Sequence, residues 1–321
     1  MNFISFLIFI PLQILFLPLG LFGVILTAYK QIIVSKRLGS SQTAIEVLNG
    51  RWTMHLFDIR KDEAADKLIR TLPNASIVGL WLALSPLWIK YKISKRYFAY
   101  PRLPKEDEEN IADLVIARTI YFDRIIDRLA DDIEQFVVLG AGYDTRPYGT
   151  LKSRGLTFFE LDQIETQVMK IKWLEKSGID ASHVKFVPVN FTQDNVFVKL
   201  KESGYDPERK TLFLWEGVTL YLSENDVRKM LREIGLNVTS VCTVVADFYA
   251  DRFIQTGKDK AGKKTLELTN EGLGFGLPFN TDHESVFNRF IRSENLSVGE
   301  THFMGSSNKN GPFMVVSEIG V

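Results

Sequence analysis

Phe136-Val-Val-Leu-Gly-Ala-Gly-Tyr-Asp-Thr-Arg-Pro147 is the stretch of this chain that decides the fold. Four apolar residues, Phe136 to Leu139, predict a strand covered on both faces of a parallel sheet. Gly140 and Gly142 let the backbone turn sharply and approach a ligand with no Cβ in the way. Asp144 or Thr145 is placed to cap a following helix, and Pro147 suits its first turn. Twenty-two residues after Gly140, a second apolar run, Leu156-Thr-Phe-Phe-Glu-Leu, ends at Asp162. A carboxylate at the tip of the second strand is where the ribose hydroxyls of a nucleoside ligand are held.

Two kinds of nucleoside cofactor compete for this pattern. A dinucleotide site wants a third glycine, which packs the helix on the strand and bares its N-terminus to a pyrophosphate. Here that position is Thr145, flanked by Asp144 and Arg146, and a carboxylate at a helix start repels a diphosphate. S-adenosylmethionine has no phosphate and carries a sulfonium cation, so an acidic, glycine-lined turn suits it better. An NAD(P)-dependent oxidoreductase on a similar sheet is the rival reading, and an ordinary strand-turn-helix with no ligand is the plainest one.

The ten residues LGAGYDTRPY, with Ala117-Arg-Thr-Ile-Tyr-Phe-Asp-Arg124 before them and Phe159-Glu-Leu-Asp162 after, resemble the leucine carboxyl methyltransferase family. More narrowly, they resemble its large bacterial branch of S-adenosylmethionine-dependent O-methyltransferases. The resemblance runs from about Ser41 to the C-terminus. It takes in Thr43-Ala44, Arg51, Trp215-Glu-Gly-Val-Thr-Leu-Tyr-Leu222 and Phe275-Gly-Leu-Pro278, and leaves about the first 35 residues outside. It implies S-adenosyl-L-methionine as cofactor and assigns residues to it. Arg118 pairs with the cofactor carboxylate, Gly140 and Gly142 contact its amino-acid and ribose portions, and Asp162 accepts from the ribose hydroxyls. Asn190 and Phe191 lie beside the adenine, and Glu216 receives the ammonium group. Asn190 departs from the family, which usually has Asp there; an amide carbonyl accepts without charge assistance, which predicts weaker adenosine binding. Asp194, four residues on, reads as a helix cap. Tyr221 either lines the acceptor pocket or packs beneath it. A catalytically silent scaffold on the same fold is a further alternative, supported only by Asn190 and opposed by Arg118, Asp162 and Glu216.

Methyl transfer from a sulfonium has an excellent leaving group, so the protein mainly aligns donor and acceptor and excludes water. No metal site or nucleophilic triad is visible, and catalytic residues are not assigned. The four histidines, His55, His183, His283 and His302, sit in no telling motif. A carboxylate acceptor is already ionised near neutrality and needs no base, whereas a hydroxyl acceptor would want one.

At 321 residues the chain can bury one substantial core plus an appendage. Its 39 basic residues equal its 39 acidic ones, so composition gives no pull toward nucleic acid. The single cysteine, Cys242, lies in the apolar run Val241–Ala246, cannot form an internal disulfide, and suits a reducing compartment.

The N-terminus differs in kind. From Phe3 to Tyr29 no residue is charged, which is long enough to cross a bilayer core of about 30 Å. Pro11 and Pro18 predict kinks, which membrane helices tolerate. A cleaved signal peptide would show a basic start and a shorter apolar core; a buried soluble helix is the third possibility. Lys30, Lys36 and Arg37 follow the segment and no charged side chain precedes it. The expectation is a single pass with the rest of the chain on the cytoplasmic side, and an apolar or lipid-like small-molecule acceptor through location alone. A second apolar stretch, Ile77 to Ile89, is too short to span comfortably. It reads as a cap helix over the active site or as a membrane-interfacial segment, with Lys90, Lys92, Lys95 and Arg96 just beyond.

The organisation read from sequence is a membrane anchor over 1–35, a helical cap region and connector over 36–109, and a Rossmann-like methyltransferase domain over 110–321. An amphipathic helix is predicted over 110–133. Strands are predicted at 136–139, 156–161, 184–189, 211–215 and 241–247, alternating with helices as a parallel sheet requires. Leu296–Phe303 and Pro312–Ile319 read as a terminal hairpin that inserts one antiparallel strand near the C-terminus. The fold class is thus α/β, a class I methyltransferase sheet with an N-terminal cap and transmembrane helix. Residues 255–274, rich in Gly, Lys and Thr, read as a mobile loop or lid.

Overall fold

A computed structural model describes residues 2–98, 100–258, 272–280 and 282–321. Seven strands form one sheet: β1 (Gln135–Leu139), β2 (Thr157–Asp162), β3 (Val184–Pro188), β4 (Thr211–Trp215), β5 (Cys242–Tyr249), β6 (Ser297–Met304) and β7 (Met314–Gly320). Their order is β3-β2-β1-β4-β5-β7-β6, and β7 alone runs antiparallel to its neighbours. β1 and β4 are buried along their whole length, as their unbroken apolar runs demand. The strands and the terminal hairpin fall where the sequence puts them, to within two residues at each end.

Helices α1 (Asn2–Tyr29), α2 (Ser35–Leu38), α3 (Gln42–Leu56), α4 (Glu63–Thr71) and α5 (Ile77–Ser94) precede the sheet. After them come α6 (Leu114–Leu129), α7 (Ile164–Lys176), α8 (Val196–Glu202), α9 (Glu224–Asn237), α10 (Asp251–Lys258) and α11 (His283–Arg292). Two apolar cores fill the faces of the sheet. A third, built from Ile45, Trp52, Phe57, Leu68, Leu84 and their neighbours, holds α3, α4 and α5 together and reaches Tyr143 and Leu174 of the sheet half.

Three local expectations change. The turn after β1 leads into two 3₁₀ segments, Arg146–Tyr148 and Thr150–Arg154, rather than an α-helix. Asp144 spends one carboxylate oxygen on the Arg146 N–H and the other on its guanidinium, and Gly149 and Gly155 bracket the second segment and keep it short. The helix predicted over 110–133 starts as a 3₁₀ turn closed by an Asn110–Asp113 capping box and ends at Leu129. The lid expected at 255–274 begins inside α10 and otherwise falls almost wholly outside the described residues.

α1 is continuous through Pro11 and Pro18 and lies antiparallel along α5. At one end Gly23 and Gly79 touch backbone to backbone: a Cβ on Gly23 would sit 2.5 Å from the Gly79 oxygen. At the other end Phe6 and Phe9 pack edge-on against Phe98, and the Lys90 ammonium lies 5.4 Å from the Phe6 ring centre. Close approach through small residues is how apolar helices pair where no water drives them together. The opposite face of α5 packs on the third core through Leu80, Leu84 and Tyr91, so α5 lies between α1 and the body. The far side of α1 stays bare, with Leu7, Leu15, Phe22 and Ile25 among its exposed side chains.

Candidate functional site

The site grows from the tips of β1, β2, β4 and β5, the carboxyl edge where ligands sit in such sheets. Leaving β1, the Gly140 and Ala141 N–H groups donate to the Leu161 carbonyl at 2.8 and 2.9 Å, which clamps the turn to β2. The Gly142 N–H then donates to Asp162 Oδ2 at 2.6 Å, and the Gln163 N–H donates to Oδ1 at 2.7 Å. Burial raises the Asp162 carboxyl above its ordinary value, and these two N–H groups oppose the rise. Gly140 adopts φ +75° and a Cβ there would meet Val218 Cγ2 at 2.4 Å. Gly140→Ala should therefore lower stability by about 1–3 kcal/mol, through strain in the left-handed region and overpacking. Chemical denaturation of the two proteins side by side checks this.

Beneath the turn lies a buried ionic cluster. Arg51 of α3 donates to Asp144 at 3.1 Å and to Glu216 at 3.0 Å; Arg146 reaches the same two carboxylates at 2.5 and 2.7 Å. Arg146 also donates to Asp123 at 2.7 Å, and Asp123 in turn binds Arg60. Arg118 of α6 sits 3.3 Å from Glu216 and 3.4 Å from Asp247, and donates to the Tyr249 hydroxyl at 2.7 Å. Burial pushes Asp144 and Glu216 up, but the surrounding guanidiniums outweigh it and hold both below their ordinary values. For Asp247 burial wins over Arg118, and its carboxyl is pushed up to about 6.

Asp144 and Glu216 give acid stability a definite sign. Each contributes stability that is fully present above the ordinary values of 3.8 and 4.5 and is lost as pH falls through the lower folded values. A Tm series in acid should fall steeply below about pH 4. The same series on Asp144→Asn should fall less.

Not every donor in the cluster is used. Among the described residues, Arg51 Nε and Nη1 and Arg118 Nε are buried with no hydrogen-bond partner. Both side chains line a cavity of about 1280 Å³. Buried N–H donors in such a place call for an acceptor.

Of the residues singled out from sequence, Arg118, Gly140, Gly142, Asp162, Phe191, Glu216 and Tyr221 share that one cavity wall. Asn190 is not brought to it. Its side-chain oxygen accepts from the Thr192 N–H at 3.1 Å and from the Thr192 hydroxyl at 2.8 Å, turned into its own loop. Asp194 binds the Asn190 N–H and Lys199 instead of capping α8, whose cap is Asn195. Arg118 and Glu216, expected on separate ends of an amino-acid ligand, also face each other. Arg51, Asp144, Arg146 and Asp247, which build the ionic cluster beneath the turn, were given no role at the site in the sequence reading. Asp247 carried a readable signal, a carboxylate closing the apolar run Val244–Ala246 as Asp162 closes its own. Arg51 carried none.

Strand order β3-β2-β1-β4-β5-β7-β6, a glycine turn after β1 and a carboxylate at the tip of β2 together define the class I methyltransferase type of Rossmann-like fold. The family model for leucine carboxyl methyltransferase matches residues 54–235, more than half of the chain, and the chain belongs to that family. Curated relatives provisionally named S-adenosyl-L-methionine-dependent methyltransferases include two from Mycolicibacterium smegmatis. One is 29% identical over 59% of this chain and 64% of its own length, the other 34% identical over 54% of each. One from Mycolicibacterium gilvum is 33% identical over 39% of this chain and 41% of its own. The match thus spans about two fifths to just under two thirds of these relatives. Among solved structures, magnesium protoporphyrin IX methyltransferase from Synechocystis PCC 6803 aligns with a TM-score of 0.41 at 11% identity, over 66% of this chain and 88% of that one.

Proposed function

We propose that this chain is an S-adenosyl-L-methionine-dependent O-methyltransferase that methylates a carboxylate. The observation that carries the reading is Asp162, fixed by two backbone N–H groups at the tip of β2 and facing the cavity beside Gly140 and Gly142. When bound, the cofactor supplies a methyl group on a sulfonium whose thioether leaves readily. Asp162 would hold the ribose hydroxyls, and the turn at Gly140 and Gly142 admits the cofactor without side-chain collision. Arg118 would pair with the cofactor carboxylate, and Glu216 with its ammonium group. The Asn190–Phe191 loop would flank the adenine, through Phe191 rather than the Asn190 amide.

Arg51 supports a carboxylate as acceptor. Arg51 borders the cavity with two of its donors buried and unused, and a guanidinium is the natural partner of a carboxylate. Such an acceptor has no proton to lose near pH 7. The residues then bind, orient and exclude water, and the cluster of fixed charges needs no reorganisation as they do so. Tyr221 stands on the same wall, where it would border the acceptor.

The bare apolar face of α1 supports attachment to a membrane, with residues 1–35 as the anchor, 36–109 as cap and connector, and 110–321 as the methyltransferase domain. A cytoplasmic position for the catalytic half agrees with the basic residues after α1 and with where the cofactor is made.

Calorimetric titration of the full chain in phosphatidylcholine nanodiscs tests the assignment. Saturable S-adenosylmethionine binding, with no heat from NADH, is the expected result. Binding of NADH alone would replace it with the oxidoreductase reading, and binding of neither with a silent scaffold.

A further inference from the structure

The cavity that holds the proposed cofactor residues does not stop at the sheet. Its wall continues past Val115 of α6 to Leu84 and Ala83 of α5 and on to Ala28, Thr27 and Val24 of α1. Gln31, Glu46 and Asn49 line the same stretch, so the passage is amphiphilic and ends at an exposed apolar helix, which a small polar acceptor would have no use for. The geometry points to an acceptor that is a membrane-resident amphiphile with a carboxylate head, entering laterally beneath α1, beside Val24, Thr27 and Ala28, from a bilayer in which α1 lies flat. This inference rests on the methyltransferase reading for the chemistry at the inner end, and on the cavity alone for the route.

The flat arrangement follows from how α5 is tied down. At its C-terminal end the Tyr91 hydroxyl and Lys92 both bind Asp58, at 3.2 and 3.0 Å, and the Tyr97 hydroxyl donates to the Phe57 carbonyl. Toward its N-terminus α5 packs on the third core through Leu80 and Leu84, and just beyond α1 Lys30 and Ser35 bind Pro73 and Asn74 in the loop that leads into α5. Both ends of α5 are therefore held on the cap, and α1 runs along it from Thr27 back to Phe6. A perpendicular crossing by α1 would drag the Asp58–Lys92 end of α5 through the apolar layer with it. Laid flat, α1 sinks its uncharged face into the acyl region. Lys36 and Arg37 flank one end and Lys92, Lys95 and Arg96 the other, at the level of anionic headgroups. The passage then opens sideways into the lipid, and Arg51 waits at its inner end for the head.

Photo-crosslinking with a diazirine-bearing palmitic acid tests the route without requiring the true acceptor. The full chain is placed in nanodiscs of phosphatidylcholine and phosphatidylglycerol, irradiated, and its adducts mapped by mass spectrometry. Adducts on the interior residues Leu114 and Val115 are expected. Ala28→Trp and, separately, Val24→Trp should each lower them by about tenfold or more by blocking the mouth. Val24 is largely exposed, so its replacement leaves the packing of α1 on α5 intact if Ala28→Trp disturbs it. Adducts confined to the outer face of α1, or interior adducts that survive both tryptophans, would overturn the inference. S-adenosylmethionine titration of the same samples is read separately, so loss of cofactor binding with blocked interior adducts would remove the enzyme and keep the passage. Bromolipid quenching of a fluorophore on Ile8→Cys, Leu15→Cys or Phe22→Cys, seven residues apart on one face, should report equal depths. A deep Leu15 between two shallow ends would mark a crossing and overturn the flat arrangement.

Discussion

Asp162→Ala should weaken S-adenosylmethionine binding by about 100-fold or more, while the protein stays folded. Two charge-assisted hydrogen bonds to a ribose diol, each worth about 1.5–3 kcal/mol, set that scale. The variant also leaves the Gly142 N–H without its acceptor, so part of any loss comes from a looser turn. Asp162→Asn separates the two effects, because an amide oxygen still accepts from Gly142 and from one hydroxyl. Calorimetry should place Asn between the wild type and Ala. Equal affinity in all three would remove Asp162 from the site, and with it the observation on which the functional assignment stands.

Arg146→Met should cost about 3–5 kcal/mol of stability, because it takes a shared guanidinium away from the buried carboxylates of Asp144 and Glu216. Asp144, Asp123 and Glu216 all meet this guanidinium, and Arg146 is almost wholly buried. Glu216 retains Arg51 and Arg118 and the part-exposed Asp123 retains Arg60, so the damage centres on the buried Asp144, which keeps Arg51. A drop in Tm of roughly 10 °C would correspond. Replacing Arg128, whose exposed pairs with Glu300 and Glu318 contribute about 0–1 kcal/mol, is the control for loss of a surface charge. If the two variants melt alike, the cluster does not work as a closed ionic unit.

These two residues also mark what the chain discloses before it folds. Asp162 was legible because a strand tip has a fixed address: an apolar run of known length ends there, on the edge of the sheet that faces ligands. Gly140, Glu216 and the seven strands were legible on the same ground. Arg146 was visible only as part of a motif, and its place under the turn follows from 3₁₀ geometry that the Asp-Thr-Arg-Pro run does not announce. Arg51 was less legible still, since it meets Asp144 across 93 residues and only the docking of α3 over the sheet brings them together. The pairing of α1 with α5 was hidden for another reason. Both segments are apolar on every side, so periodicity marks no contact face, and only Gly20, Gly23 and Gly79 hint at where they meet.

The backbone contact between Gly23 and Gly79 bears on how this protein can be handled. Helices that touch so closely should share one level of protection against hydrogen exchange, which exchange mass spectrometry of α1 and α5 would read. The N-terminal helix is in that sense a rib of the cap. A preparation trimmed near Lys36 for solubility would bare the groove along α5 and lift off the roof formed by Val24, Thr27 and Ala28. Whatever such a shortened protein bound or failed to bind would describe a different cavity.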